Sequence, residues 1–373
     1  MKNSKTSSVS LNFFGVAIMY TSAIMGAGFA SGREIWQFFG VFNENAKWGV
    51  FFVGVLFILT GVMASINARH FNTNDMGRVI VPGGNKHIIN FVGYFMAVII
   101  FTVLVTMSAA GGSLVRQEFG MSKIFGGAVI IIMVLFTVLG EFERVSRVFR
   151  YIMPAMFVIV VMVCLMVIFK DIGYTGYDDP VKPSPIASNF VIAAFLYISY
   201  NILSMIPIVA TASINAKNNR HAIVGSMLGG LMLAVLAFLL VLALQKDMHF
   251  SQALDLPMLG YSAKLSKPVH ILYVVVLMLS IYASATSNFY GFTTKIKTGP
   301  KKKKFIIVSA WIGFLLGLFG FKNIVAYMFP IEGYLGFLII IMMTINFIIV
   351  IKEIKNEGSK AQCEYIQGFR ESR

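Results

Sequence analysis

The sequence predicts an all-α polytopic membrane protein: ten transmembrane helices in a five-plus-five inverted repeat, with discontinuous helices one and six. Three observations carry this. Hydrophobic residues make up 57% of the chain and charged residues 13%, with a mean hydropathy of +0.79. A soluble domain carries roughly a quarter of its residues charged, so that class is excluded. Second, apolar stretches long enough to cross ~30 Å of hydrocarbon recur along the whole chain. They fall at 11–40, 46–68, 88–112, 122–140, 148–170, 187–214, 221–245, 268–294, 304–320 and 323–351. Third, Asn12, Phe13, Ala17, Tyr20 and Ser22 return in register as Asn189, Phe190, Ala194, Tyr197 and Ser199. A second echo links Tyr151-Ile-Met-Pro154 with Tyr327-Met-Phe-Pro330. Five spans separate the copies of the first echo, so the second half enters the membrane from the opposite side.

The elements then follow in order. Residues 1–10 form a cytoplasmic N-terminus, 11–170 the first five-helix repeat and 171–186 an extracellular connector rich in Gly, Asp and Pro. Residues 187–351 form the second repeat and 352–373 a cytoplasmic tail of alternating Lys and Glu, read as a frayed helix. The net charge of +15 does not point to nucleic acid, because its placement is sided. With the N-terminus inside, cytoplasmic segments carry 21 of the 31 Lys and Arg and outer loops nine, with Arg33 inside a span. This asymmetry puts both termini in the cytoplasm of a multi-pass cell-membrane protein. The run Lys301 to Lys304 sits against anionic headgroups at the inner face. Cys164 and Cys363 give no disulfide framework, and the first apolar segment is too long for a signal peptide. No obligate protein partner is visible.

Span one contains Gly26-Ala27-Gly28-Phe29-Ala30-Ser31-Gly32-Arg33-Glu34. Each Gly destabilises a helix interior by roughly 1 kcal/mol, so three in seven residues invite unwinding. Unwound backbone at that depth is tolerated only against protein or a polar cavity, where amides receive an anion and carbonyls a cation. Gly28 and Gly32 read equally as a helix-packing face. In span six Pro207 removes an amide and frees carbonyls near Ser204, beside Tyr200 and Asn201, a set suited to a small zwitterion. Bundle Tyr and Ser also simply bridge neighbouring helices. In span eight the hydroxyls of Thr286 and Ser287 and the Ala283 carbonyl offer hard oxygens for a small cation such as sodium; a small-residue packing seam is the alternative. Thr102 and Thr106 in span three read as lining or as packing. Arg33, Glu34 and Glu332 are the intramembrane charges, functional candidates by default. Glu34 reads as a proton carrier, a holder of a substrate amine, or a structural partner of Arg33.

The glycine-rich stretch Gly26 to Glu34 on ten spans resembles the YkvI-type bacterial membrane proteins, grouped with the amino acid–polyamine–organocation transporters. More broadly, residues 11–351 resemble the LeuT-like five-plus-five fold, and Phe195-x-Tyr197-Ile198-x-Tyr200-Asn201 is similar to the aromatic stretch before that fold's break in helix six. The resemblance implies a substrate carboxylate on the amides of Ala27 and Gly28 and an aromatic gate at Tyr200. It implies sodium held by carbonyls of Ser22, Met25 and Ala283 and hydroxyls of Thr286 and Ser287, with no other cofactor. It also offers Arg33 and Glu332 as an outer gate pair, although Arg33 is not at the expected spacing from the glycines. The Asp-Pro-Gly-Asn and Met-Pro-His motifs of the metal-ion branch are missing.

The function expected is therefore a secondary active transporter of a small neutral amino acid or similar zwitterion, sodium-coupled, working by alternating access. No buried acid pair suited to polyamines is visible in the sequence. Two alternatives remain: a transporter-like receptor of the germinant type, and a proton-coupled carrier using Glu34. An enzyme is not expected, since no His pair, Cys–His pair or carboxylate dyad falls at one membrane depth.

Overall fold

The computed structural model describes residues 10–140, 142–170, 187–294 and 301–371, with isolated positions at 181, 185 and 299; the connector at 171–186 lies largely outside these. The described part is nearly all helical. Helix α1 (Phe13–Ile24) starts where the Asn12 side chain accepts the Gly15 N–H at 2.8 Å. It ends at Met25, whose ψ of 70° leaves the helical basin. The Gly26 N–H then turns to the Ile24 carbonyl at 2.7 Å rather than reaching back to Ser22. The Ser22 carbonyl is thereby released from the helical ladder. A single turn, α2 (Ala27–Ala30), follows, and a second interruption precedes α3 (Arg33–Phe38). Gly32 makes this second bend at φ +78°, where a side chain would be strained and its Cβ would stand 2.9 Å from Met258. Span one is thus discontinuous, as its glycines predict, and the interruption is double.

A 3₁₀ stretch over Gly40–Asn45 leads into α4 (Ala46–Phe71). Then come α5 (Met76–Ile80), α6 (Lys86–Phe119), α7 (Lys123–Leu139) and α8 (Phe142–Phe169). Helix α9 (Phe190–Ile214) is followed by α10 (Asn219–Leu244), the short α11 (Met248–Ala253) and α12 (Pro257–Leu265), and α13 (Lys267–Thr294). The chain closes with α14 (Lys302–Gly317), α15 (Phe321–Asn323), a π-helical turn over Ile324–Met328, and α16 (Phe329–Glu371). Six of these segments are long and apolar enough to cross a membrane by length and composition: the one ending in α4, then α6, α9, α10, α13, and α15 running on into α16. The predicted tail is helical and continuous with α16 through Glu371.

One expectation fails here. Helix six is not discontinuous: α9 runs unbroken through Pro207. Proline removes one amide from the ladder, and surrounding helices hold the rod in place. Local back-bonds also tie its turns together, with Asn201 Nδ2 donating to Tyr197 O at 2.8 Å and Thr211 Oγ1 to Pro207 O at 2.8 Å.

Helices α1, α4, α9 and α10 pack on one another as one group. A second group is built from α6, α7, α8, α13 and α14, and α16 lies along α9 and α4. The first echo has a structural meaning, for Asn189 caps α9 just as Asn12 caps α1, accepting the amides of Val191 and Ile192 at 3.0 and 2.9 Å. Leu11 also bridges to the α9–α10 loop, donating to Asn215 O at 2.8 Å and accepting from Lys217 N at 2.9 Å.

Candidate functional site

The interrupted first span meets α9, α13 and the π turn ahead of α16 in the interior. Glu34 on α3 is buried there. Its carboxylate folds back over α2, so closely that a Cβ on Gly28 would overlap it. Gly28 thus serves close approach of its own chain's acid. Two α9 hydroxyls point at Glu34 Oε2: Tyr200 donates a short hydrogen bond, and Tyr197 a longer one of 3.5 Å. The Tyr200 ring lies between Phe329 (centroids 4.6 Å apart, interplanar angle 19°) and Phe38 (6.0 Å, 17°). Phe329 sits where the π turn passes into α16, and Glu332 follows one turn later. Glu332 is 6% exposed, and its Oε1 has no hydrogen-bond partner. Thr102 of α6 lies beside it, and both Tyr200 and Glu34 are close enough to feel its charge. Two buried acids nearly 300 positions apart thus border one stack of rings: Glu34 accepts from Tyr200, and Glu332 lies one turn past Phe329, which stacks on Tyr200. Sequence reading missed it because no spacing links them; only two isolated intramembrane acids were legible.

The position of Glu34 corrects one expectation. The space over Gly28, where a substrate carboxylate was placed, holds the Glu34 carboxylate, and two anions do not share such a site without a cation. The structural partnership of Glu34 with Arg33 is also absent. The two side chains leave α3 in different directions, as consecutive helical residues must.

Arg33 does not meet Glu332 either. Its guanidinium donates to the carbonyls of Gln252 and Leu254 at 3.4 and 3.2 Å and to Gln37 Oε1 at 3.1 Å. It therefore fastens the α11–α12 segment over the break. Trp36 Nε1 donates to the Gln252 side chain at 2.8 Å and Lys322 Nζ to the Gln252 carbonyl at 2.7 Å. The Met258 N–H donates to Ser31 O at 2.9 Å, and Tyr273 donates to Ala30 O. Asp255, between α11 and α12, accepts from Ser113 Oγ at 2.8 Å and from Lys123. Burial raises the Asp255 carboxyl, but Lys123, Ser113 and the Arg33 charge together outweigh it and hold the group below the ordinary carboxylate value. One end of the break is thus roofed by α11–α12. His270 joins the same rim, bonded to Ser262 at 2.9 Å and Glu118 at 3.0 Å.

The remaining predicted residues divide. Gly26 lies beside Ser284 of α13, where an added Cβ would stand 3.6 Å from Ser284 Oγ. The Ala283–Ser287 stretch therefore borders the break. Ala283, Met25 and Thr286 are buried, Ser22 half-buried and Ser287 exposed. The Thr286 hydroxyl is buried without a partner. Ser204 is half-buried on α9, and Asn201 turns its amide into its own helix. Thr106 is fully buried with its hydroxyl donated to Thr102 O at 3.0 Å, a packing residue in this arrangement. Among the described residues no group of three or more His, Cys, Asp or Glu stands together to hold a metal.

No family model matches the chain. It is similar to the uncharacterized membrane protein YkvI of Bacillus subtilis, 24% identical over 330 residues, covering 86% of this chain and 92% of the relative. It is also similar to the uncharacterized protein YyaD of the same organism, 20% identical over 331 residues, covering 87% and 94%. These two are homologues, and the YkvI-type resemblance expected from the first span is borne out. Among solved structures it is similar to a mutant of the manganese transporter of Eremococcus coleocola, with a TM-score of 0.53 and 12% identity over 94% of this chain and 78% of the other. It is likewise similar to the inward-facing conformation of Mhp1, with a TM-score of 0.51 and 12% identity over 89% and 75%. The fold is the LeuT-like one of these transporters.

Proposed function

We propose that this chain is a secondary active transporter of a small zwitterion such as a neutral amino acid, coupled to a sodium gradient and working by alternating access. The observation that carries this is the double break of the first span, with Gly26 beside Ser284 of α13 and the buried Glu34 carboxylate over Gly28 bonded by the α9 hydroxyls. The substrate lies along the break with its ammonium at Glu34, between Tyr200 and the Ser204 face of α9. Sodium sits between the released carbonyls of Ser22 and Met25 and the Ala283–Ser287 stretch, a reading supported by the unpartnered Thr286 hydroxyl. A packing symmetry supports ten spans in two inverted halves: spans one and two group with six and seven, and three and four with eight and nine. Rocking of the first group against the second then exposes the break to alternate faces. Both termini face the cytoplasm of the cell membrane in this reading, from the distribution of Lys and Arg.

Proteoliposome uptake of a radiolabelled mixture of neutral amino acids, with and without an imposed sodium gradient, tests it. Accumulation only with the gradient is expected. Equal accumulation in both conditions removes sodium coupling, and no uptake in either removes the transport reading.

A further inference from the structure

Two buried carboxylates with no cationic partner call for a positive charge from elsewhere. Among the described residues the ion pairs are His70–Glu353, Lys123–Asp255 and His270–Glu118, and none involves Glu34 or Glu332. Both side chains are more than nine-tenths buried, and Glu332 Oε1 has no hydrogen-bond partner at all. Taking an unpaired carboxylate out of water costs several kcal/mol even after relaxation, and two that repel each other cost more. The ligand class follows from what surrounds them. Facing Glu34 are Tyr197 and Tyr200 from α9, the Gly28 backbone from α2 and Glu332 from α16. Facing Glu332 are Thr102 from α6, Tyr200 from α9 and Glu34 from α3. Arg33, next in sequence to Glu34, is committed to the carbonyls of the α11–α12 segment. Rings and hydroxyls fill the surroundings, with no set of oxygens or imidazoles that would complete a metal shell.

We propose that Glu34 and Glu332 form a shared proton-binding site that couples a proton, beside sodium, to the solute movement inferred above. The proposal rests on that carrier reading for its coupling, and on the acid pair alone for its binding. One proton added to the pair lowers its charge from −2 to −1, and its release to the other face restores it. Nothing is oxidised or reduced. The two acids come from different elements, α3 of the interrupted first span and α16. Separating these elements therefore changes the repulsion that favours the proton, which is how a rearrangement releases it. Tyr200, bonded to Glu34 and adjacent to Glu332, positions the first acid and spaces it from the second.

The test uses the full chain reconstituted in liposomes. Infrared difference spectra are recorded across a pH titration, following the C=O stretch of protonated carboxyl groups, for wild type, E34Q, E332Q and the double variant. The expected result is a titrating band that each single variant roughly halves and the double variant abolishes. Each single substitution also moves the midpoint of the remaining band by about one pH unit or more, the mark of interacting sites. A band unchanged in the double variant overturns the proposal, as do two bands that titrate independently. Glu332→Asp retains the acid and is expected to retain a second titrating group, which separates loss of the proton from loss of fold. In parallel, uptake of the neutral amino acid mixture is driven by an imposed pH gradient with the potential clamped. E332Q is expected to reduce this accumulation about tenfold, and accumulation equal to wild type overturns the coupling. If the double variant loses the band but no solute enters under any gradient, the proton site stands and the carrier reading fails. Uptake that ignores pH in a protein with no titrating pair removes the proton site and leaves the carrier.

Discussion

Replacing Gly28 with alanine adds one methyl group at the point where the Glu34 carboxylate passes over α2. The clash is with the far end of a flexible side chain, so the backbone need not move. Glu34 has to rotate away. What it then loses is the short hydrogen bond from Tyr200; the 3.5 Å contact from Tyr197 is at the limit of a bond and contributes little. A hydrogen bond to a charged group is worth about 1.5–3 kcal/mol, so occupancy of the observed arrangement falls by about 10- to 100-fold. The expected outcome is a matching loss of solute uptake and a lower melting temperature in detergent, followed by tryptophan fluorescence. Gly291→Ala is the control, since its nearest neighbour would be Ile100 at 3.9 Å; it is expected to stabilise α13 by about 0.5–1 kcal/mol, as alanine does in a helix interior. The decisive measurement is the double-mutant cycle of Gly28→Ala with Glu34→Ala. Once Glu34 is truncated the methyl has nothing to displace, so its cost is expected to vanish. Additive effects in that cycle would refute the proposed close approach.

Three further outcomes follow from the same contacts. Thr286→Val swaps a buried, unpartnered hydroxyl for a methyl of similar shape, so melting in sodium-free buffer is expected to stay level or rise while stabilisation by added sodium disappears; sodium stabilisation equal to wild type rejects Thr286 as a ligand. Arg33→Met removes the donor that fastens the Gln252 and Leu254 carbonyls and is expected to cost about 3 kcal/mol, read as faster protease cleavage of the α11–α12 segment; unchanged cleavage means the roof is held without it. Asp255 has a folded value below its unfolded one, so its stabilising contribution is full above about pH 4 and is lost as pH falls through the folded value. Acid-dependent loosening of the roof is therefore expected in wild type below about pH 4 and absent in Asp255→Asn, measured by the same cleavage assay.

The roof and the acid pair divide the interior into two chemistries. At one end of the break, the carbonyls of Gln252 and Leu254 and the Gln252 side-chain oxygen are tied down by Arg33, Trp36 and Lys322, which suits a closed end. At its level, Glu34 and Glu332 stand among rings with no fixed counter-charge, which suits a site that exchanges a positive charge. A permanent salt bridge between Arg33 and Glu332 would have cancelled that property. Its absence is what leaves the pair able to respond to a proton or an amine.

Local chemistry was legible in the residues themselves. Apolar runs long enough for hydrocarbon gave the helices, and the echo of Asn12 in Asn189 was visible, although that both cap a helix start emerged only from the structure. Gly26, Gly28 and Gly32 gave the broken first span, since three unsubstituted positions so close together cannot sustain a regular helix at depth. Pro207 misled, because the outcome at a proline depends on whether surrounding helices hold the rod together, and no local rule contains that information. The acid pair, the direction of Arg33 and the π turn before Phe329 were likewise decided only by tertiary packing. Which of two neighbouring side chains enters the core depends on what the far end of the chain brings to it. Glu34 and Glu332 border the same rings only because α16 lies along α9, and that is a property of the assembled helices rather than of either residue.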